Sequence, residues 1–156
     1  MDIHPDLESV APLLGSWVGA GHGRYPTIEP FAYTEELSFR PGPGKPFAAY
    51  IQHTWAADGS PLHAEAGYLR ATRDGPELVI AQPTGLVEVH QGERAGGAFV
   101  FRSLSVQATP TAKAVGEVVR SLTVEGDSLS YTLDMAYATV SLTLHLEATL
   151  HRVLDR

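Results

Sequence analysis

The chain has 156 residues, of which 44% are hydrophobic and 19% charged, with a mean hydropathy of -0.05; this fits one domain around a single core, with no apolar run near the roughly 20 residues of a membrane span. Cysteine is absent, which excludes disulfides, thiolate catalysis, Cys-ligated zinc and Cys-held iron-sulfur clusters together. A net charge of -7 and a pI near 5.4, with no basic cluster, speak against a nucleic-acid partner.

The opening MDIHPDLESV is acidic and lacks the basic start and apolar run of a secretory signal, so the expected location is cytoplasmic. From Pro5 to Leu14, the residues Leu7, Val10, Leu13 and Leu14 recur at helical spacing. Pro12 interrupts a continuous helix, so the reading is one short helix ending near Val10 or Ala11, followed by a turn that Gly15 closes. Next comes Gly15-Ser16-Trp17-Val18-Gly19-Ala20-Gly21. As a strand it puts Gly15, Trp17, Gly19 and Gly21 on one face, which suits either a sharp barrel bend or a place where something flat approaches the backbone. Strand-period runs follow at Phe31 to Phe39, Phe47 to Ala56, His63 to Ala71, Glu77 to Ala81, Gly85 to His90, Ala98 to Val106, Val115 to Val124, Leu129 to Ala138 and Leu142 to Val153. Turn signals separate them at Arg40 to Gly44, Asp58-Gly59, Asp74-Gly75-Pro76, Gly92 to Gly97 and Gly126-Asp127. The pattern predicts an all-β fold: an up-and-down antiparallel barrel of about ten strands, lipocalin-like, in a single domain over residues 1–156. Gln107 to Ala114, which carries Lys113, reads as a loop at one barrel mouth. A barrel of this size can enclose one small ligand.

No GxSxG elbow, Walker A loop or HExxH motif is present. Gly19-Ala20-Gly21-His22-Gly23 lacks the strand-helix-strand context of a dinucleotide loop. The seven histidines, His4, His22, His53, His63, His90, His145 and His151, remain as candidate ligands. His145 and His151 are six residues apart on one strand, so they should share a face at roughly 20 Å and cannot hold one ion together. A single imidazole still suffices for iron when a porphyrin supplies four other ligands.

Several separate motifs carry a family resemblance: Gly15 to Gly21, Tyr25-Pro26-Thr27-Ile28, Gly44-Lys45-Pro46-Phe47 with Tyr50 and Gln52, and His63 to Arg70. Ala81 to Val89, Thr111-Ala112-Lys113 and His145 to Leu150 continue it over nearly the whole chain. In these the sequence resembles the nitrobindins, heme-binding β-barrels described as peroxynitrite isomerases. The resemblance implies heme b near one barrel mouth, His145 as proximal iron ligand, Thr27 and Lys113 near the heme edge and His63 on the distal side. It implies peroxynitrite and nitric oxide as ligands, isomerisation of peroxynitrite to nitrate at ferric heme without a protein nucleophile, and a homodimer. The competing reading of the same cavity is a heme-free, lipocalin-like carrier of a fatty acid or other small apolar ligand.

One pattern opposes His145 as an inward ligand. Leu142, Leu144, Leu146, Ala148 and Leu150 share one strand face, and His145 lies on the other with Thr143, Glu147 and Thr149. Either a bulge resets the register or the leucines face outward; the outward stripe at a homodimer interface is the favoured expectation.

Overall fold

Along β1 (Gly15–Tyr25) every second position is buried or half-buried, from Gly15 and Trp17 through Gly19 to Tyr25, while Val18, Ala20, His22 and Arg24 face solvent. A period-two alternation, interrupted by bulges in β8 and β10, also builds β2 (Ile28–Pro41), β3 (Phe47–Ala56), β4 (Pro61–Thr72), β5 (Gly75–Ala81), β6 (Leu86–Ala95), β7 (Ala98–Ala108), β8 (Val115–Glu125), β9 (Ser128–Tyr137) and β10 (Val140–Val153). In this computed structural model, which describes residues 3–154, each strand pairs antiparallel with the next. β10 returns to β1, with Gly19 opposite Leu150, and closes a ten-stranded barrel. The expected strands are all present, with several turns narrower than expected: Pro41 ends β2, Gly75 and Pro76 open β5, and Gly92 lies inside β6, so that only Gly96 and Gly97 turn the chain into β7.

The glycines of β1 have specific steric causes. A Cβ on Gly19 would stand 2.2 Å from the carbonyl oxygen of Thr149, so the β1–β10 seam closes only because that side chain is missing. The Tyr33 ring covers Gly21 and the Phe31 ring covers Gly23. The flat groups laid against this face are the chain's own rings.

One end of the barrel is sealed by an N-terminal 3-10 helix, Pro5–Leu13, that buries Leu7, Val10 and Leu13. The helix does not stop before Pro12, as expected, but runs through it. In an α-helix Pro12 would clash with the carbonyl of Glu8; the tighter 3-10 winding avoids this, and Arg94 takes the carbonyls that Pro12 cannot pair. Its Nη1 donates to Ser9 O at 2.6 Å and to Glu8 O at 3.4 Å. Trp17 anchors the seal from β1, donating Nε1–H to Leu13 O at 2.9 Å, with the Arg152 guanidinium 4.1 Å from its ring centroid.

On β10 the favoured expectation fails and its rival holds. Leu144 pairs with Asp134 and Leu146 with Leu133, which leaves His145 as the extra residue of a bulge. Beyond the bulge Leu146, Ala148 and Leu150 turn into the barrel, and Glu147, Thr149 and His151 turn out. The outward leucine stripe is therefore cut to Leu142, which is exposed, and Leu144, which is half-buried, ahead of the bulge. His145 and His151 also lie on opposite sides of the wall, because the inserted residue reverses the alternation between them.

Candidate functional site

At the end opposite the helix the barrel holds an open cavity of about 590 Å³. Four sequence-predicted residues line it together: His145 from the β10 bulge, Thr27 from the β1–β2 turn, Lys113 from the β7–β8 loop and His63 from β4. Gly15, Trp17, Gly19 and Gly21 do not line it; they shape the seam and the sealed end.

His145 is half-buried, and its Nδ1 lies 3.0 Å from the carbonyl oxygen of Arg24. A carbonyl only accepts, so Nδ1 carries the proton and Nε2 keeps its lone pair. The ring is clamped edge-on by Tyr25 at 5.4 Å and Phe31 at 6.4 Å between centroids. Tyr25 is itself fixed by donating its hydroxyl to Met135 O at 2.9 Å. Burial lowers the His145 pKa, the bond to Arg24 opposes that, and the charges of His63 and Lys113 lower it further; the neutral, ligating form is favoured. Among the described residues no three His, Asp or Glu side chains are grouped to hold a bare metal ion.

Beneath this mouth lies a charged tier that sequence reasoning missed. Arg120 on β8 bridges two carboxylates: Nη1 and Nη2 reach Glu65 Oε2 and Oε1 at 2.8 Å each, and Nη2 reaches Glu88 Oε2 at 2.8 Å. Burial alone would raise both carboxyls, but the guanidinium overrides it and holds Glu65 and Glu88 below the usual range. Tyr50 donates to Glu65 Oε2 at 2.7 Å, Gln82 bridges Glu65 and Glu88, and His90 sits 2.8 Å from Glu88 Oε1. His63 Nε2, 3.2 Å from Glu65 Oε1, ties the mouth to this tier.

Glu35 on β2 differs from its neighbours. It has no guanidinium on its oxygens, only neutral donors: Gln52 Nε2 at 2.9 Å and the Tyr131 hydroxyl. Burial pushes it up to about 7, against those two hydrogen bonds, with Glu65 adding and Arg120 opposing. The signal for the tier was legible: Glu35, Glu65, Glu88 and Arg120 each occupy the apolar face of an alternating strand, beside Leu37, Leu69, Leu86 and Leu122.

A lone imidazole with a free Nε2, walls rich in Leu, Val and aromatic side chains, and one cation at the rim form a donor set suited to an iron porphyrin, whose own nitrogens fill the equatorial positions. The relatives agree with that geometry. Residues 6–152 match the family model described as "THAP4-like, heme-binding beta-barrel domain". The chain is 50% identical to peroxynitrite isomerase 2 of Mycobacterium avium (strain 104), with 97% of each covered. It is 51% identical to peroxynitrite isomerase of Nocardia farcinica (strain IFM 10152), covering 96% of this chain and 92% of that protein. The crystal structure of Rv2717c from M. tuberculosis superposes with a TM-score of 0.88 at 46% identity, over 98% of this chain and 100% of the other. The chain belongs to the family of THAP4-like heme-binding β-barrel domains, which is the nitrobindin resemblance carried by its motifs.

Proposed function

We propose that this barrel holds heme b through His145 and isomerises peroxynitrite to nitrate. The observation that carries the reading is the His145 tautomer: Nδ1–H donates to the Arg24 carbonyl, which leaves the Nε2 lone pair free at the mouth of the cavity. The activity rests on relatives of about half identity that are named peroxynitrite isomerases.

Heme held there by His145 would supply a ferric iron, and with it the chemistry that turns peroxynitrite into nitrate. The chain's own residues do the holding and steering. The Arg24 carbonyl orients the imidazole and raises its basicity, as outer partners of metal-bound histidines do. Lys113, exposed at the rim, offers positive charge to an incoming anion or to a carboxylate edge of the cofactor. Thr27 places a hydroxyl at the same rim, and His63 faces the same space while held by Glu65. The acidic tier below, with three carboxyl groups to one guanidinium, disfavours deep entry of an anion.

The fuller reading keeps one domain over residues 1–156, supported by chain length, and a cytoplasmic setting, supported by the acidic N-terminus and the lack of cysteine; nitric oxide as a second ligand and a homodimer are supported by the family resemblance. The dimer no longer has the leucine stripe of β10 as its support. Among the described residues no helix is long and apolar enough to cross a membrane.

The test is reconstitution with hemin. The wild-type chain should develop a Soret band that His145→Ala abolishes or greatly weakens, and the ferric protein should accelerate peroxynitrite decay in stopped flow. A chain that stays colourless with hemin sinks the cofactor assignment; a coloured protein that leaves the decay rate at that of buffer sinks the isomerase.

A further inference from the structure

The six tyrosines of this chain differ sharply in where a phenolic proton could go. Tyr25 gives its hydrogen bond to a backbone carbonyl, which does not accept a proton outright. Tyr50 faces a carboxylate, Glu65, but that carboxylate is locked by two bonds from Arg120 and is a poor base. Tyr68 is 51% exposed on the outer wall, against Phe47. Tyr137 packs on Tyr25 at the mouth. Tyr131 alone donates to a carboxylate without a guanidinium partner, Glu35, and its oxygen also lies 2.8 Å from the Tyr33 hydroxyl. Tyr33, Glu35 and Tyr131 all line the cavity.

A phenol loses an electron readily only if its proton leaves with it, since the phenoxyl cation is a very strong acid. A hydrogen-bonded carboxylate able to take that proton therefore selects which tyrosine is oxidised. Glu35 can take it because burial has already raised its proton affinity to about that of neutral solution.

We infer that Tyr131 is a one-electron donor to oxidising radicals that enter the cavity, with Glu35 as its proton acceptor and Tyr33 as the hydrogen-bond donor that steadies the resulting phenoxyl. The relevant oxidant class is nitrogen dioxide, the radical formed when the O–O bond of peroxynitrite splits homolytically, so the physiological role rests on the isomerase reading above. Nitrogen dioxide takes one electron from Tyr131 and leaves as nitrite, while the phenolic proton crosses to the Glu35 carboxylate. A second nitrogen dioxide then forms a C–N bond ortho to the oxygen. The ring proton at that carbon is lost, the oxygen regains one, and 3-nitrotyrosine results. Tyr131 thereby consumes radicals that escape toward the barrel interior, before they reach the apolar core below.

The experiment supplies the radical directly. Nitrogen dioxide is generated by pulse radiolysis of nitrite in solutions of the full chain with heme bound and, in parallel, without heme. The phenoxyl is followed by its transient absorption and by electron paramagnetic resonance, and nitrated residues are mapped by peptide mass spectrometry. Tyr131 should be nitrated ahead of the far more exposed Tyr68. Glu35→Gln should keep the fold and lower the Tyr131 share several-fold. Glu35→Asp, which draws the carboxylate back from the phenol, should do the same should the glutamine variant fail to fold. Nitration confined to Tyr68, or a Tyr131 share that neither Glu35 variant changes, overturns the proposal. Because no peroxynitrite is used, this result is independent of whether the protein isomerises it.

Discussion

Glu35→Gln also tests the electrostatics of the deep tier through stability. In the folded barrel Glu35 titrates at about 7, against an ordinary value of 4.5. The raised value means that the folded state binds this proton more tightly than the unfolded chain does. The stabilisation from Glu35 is therefore complete below pH 4.5 and is lost as pH rises through about 7. A shift of about 2.5 units at ~1.36 kcal/mol per unit makes the loss about 3 kcal/mol. Glutamine keeps an oxygen for the Tyr131 hydroxyl and cannot ionise, so it escapes that loss. Subtracting the wild-type from the variant unfolding temperature at each pH cancels the groups common to both chains. The difference should grow in favour of Glu35→Gln by roughly 6–12 °C between about pH 4 and about pH 9, at 2–4 °C per kcal/mol for a chain of this size. The measurement is thermal unfolding by circular dichroism on the heme-free chain, repeated with heme. A difference that stays flat across that pH range refutes the assignment of a raised proton affinity to Glu35, and a difference that falls with pH reverses its sign.

Arg120→Met leaves Glu65 and Glu88 as buried carboxylates without a counter-charge; urea unfolding near neutral pH should show a loss of about 3–5 kcal/mol, smaller in acid where both carboxyls protonate. Gly19→Ala drives a Cβ into the Thr149 carbonyl across the β1–β10 seam and should cost more than about 3 kcal/mol or prevent folding. Gly116→Ala, where nothing lies within 4 Å of the added carbon, should stay within about 0.5 kcal/mol of wild type in the same melts. Heme bound through neutral His145 should be retained below the ordinary histidine pKa and released as falling pH protonates the imidazole, because burial and the charges of His63 and Lys113 depress its pKa. A Soret titration checks this, and release that begins above pH 6.5 would contradict it.

Most of the barrel was legible because its information is local. Period-two alternation and Gly, Pro and Asp turn signals recur in strands whose neighbours in sequence are also neighbours in the sheet. The helix seal was read at the right place but ended too early, since the carbonyls freed by Pro12 are met by Arg94 from β6, a residue far away in sequence. The site divides in the same way. His145, His63, Thr27 and Lys113 came from motif resemblance, and the structure gathers them around one cavity. The deep tier was missed because a charged residue on an apolar strand face reads alone as an exception, and becomes a network only when the barrel brings four such exceptions together.

The amino-acid sequence by itself determined the all-β class, the count of about ten strands and the absence of cysteine, since each depends on composition or on periodicity within a single segment. Only the tertiary structure decided which way His145 points. A single inserted residue between Leu144 and Leu146 reverses the alternation of β10, and that bulge exists only in the pairing with β9. It likewise decided the proton affinity of Glu35, because that value depends on which side chains burial places beside it and on the guanidinium that goes to Glu65 and Glu88 instead.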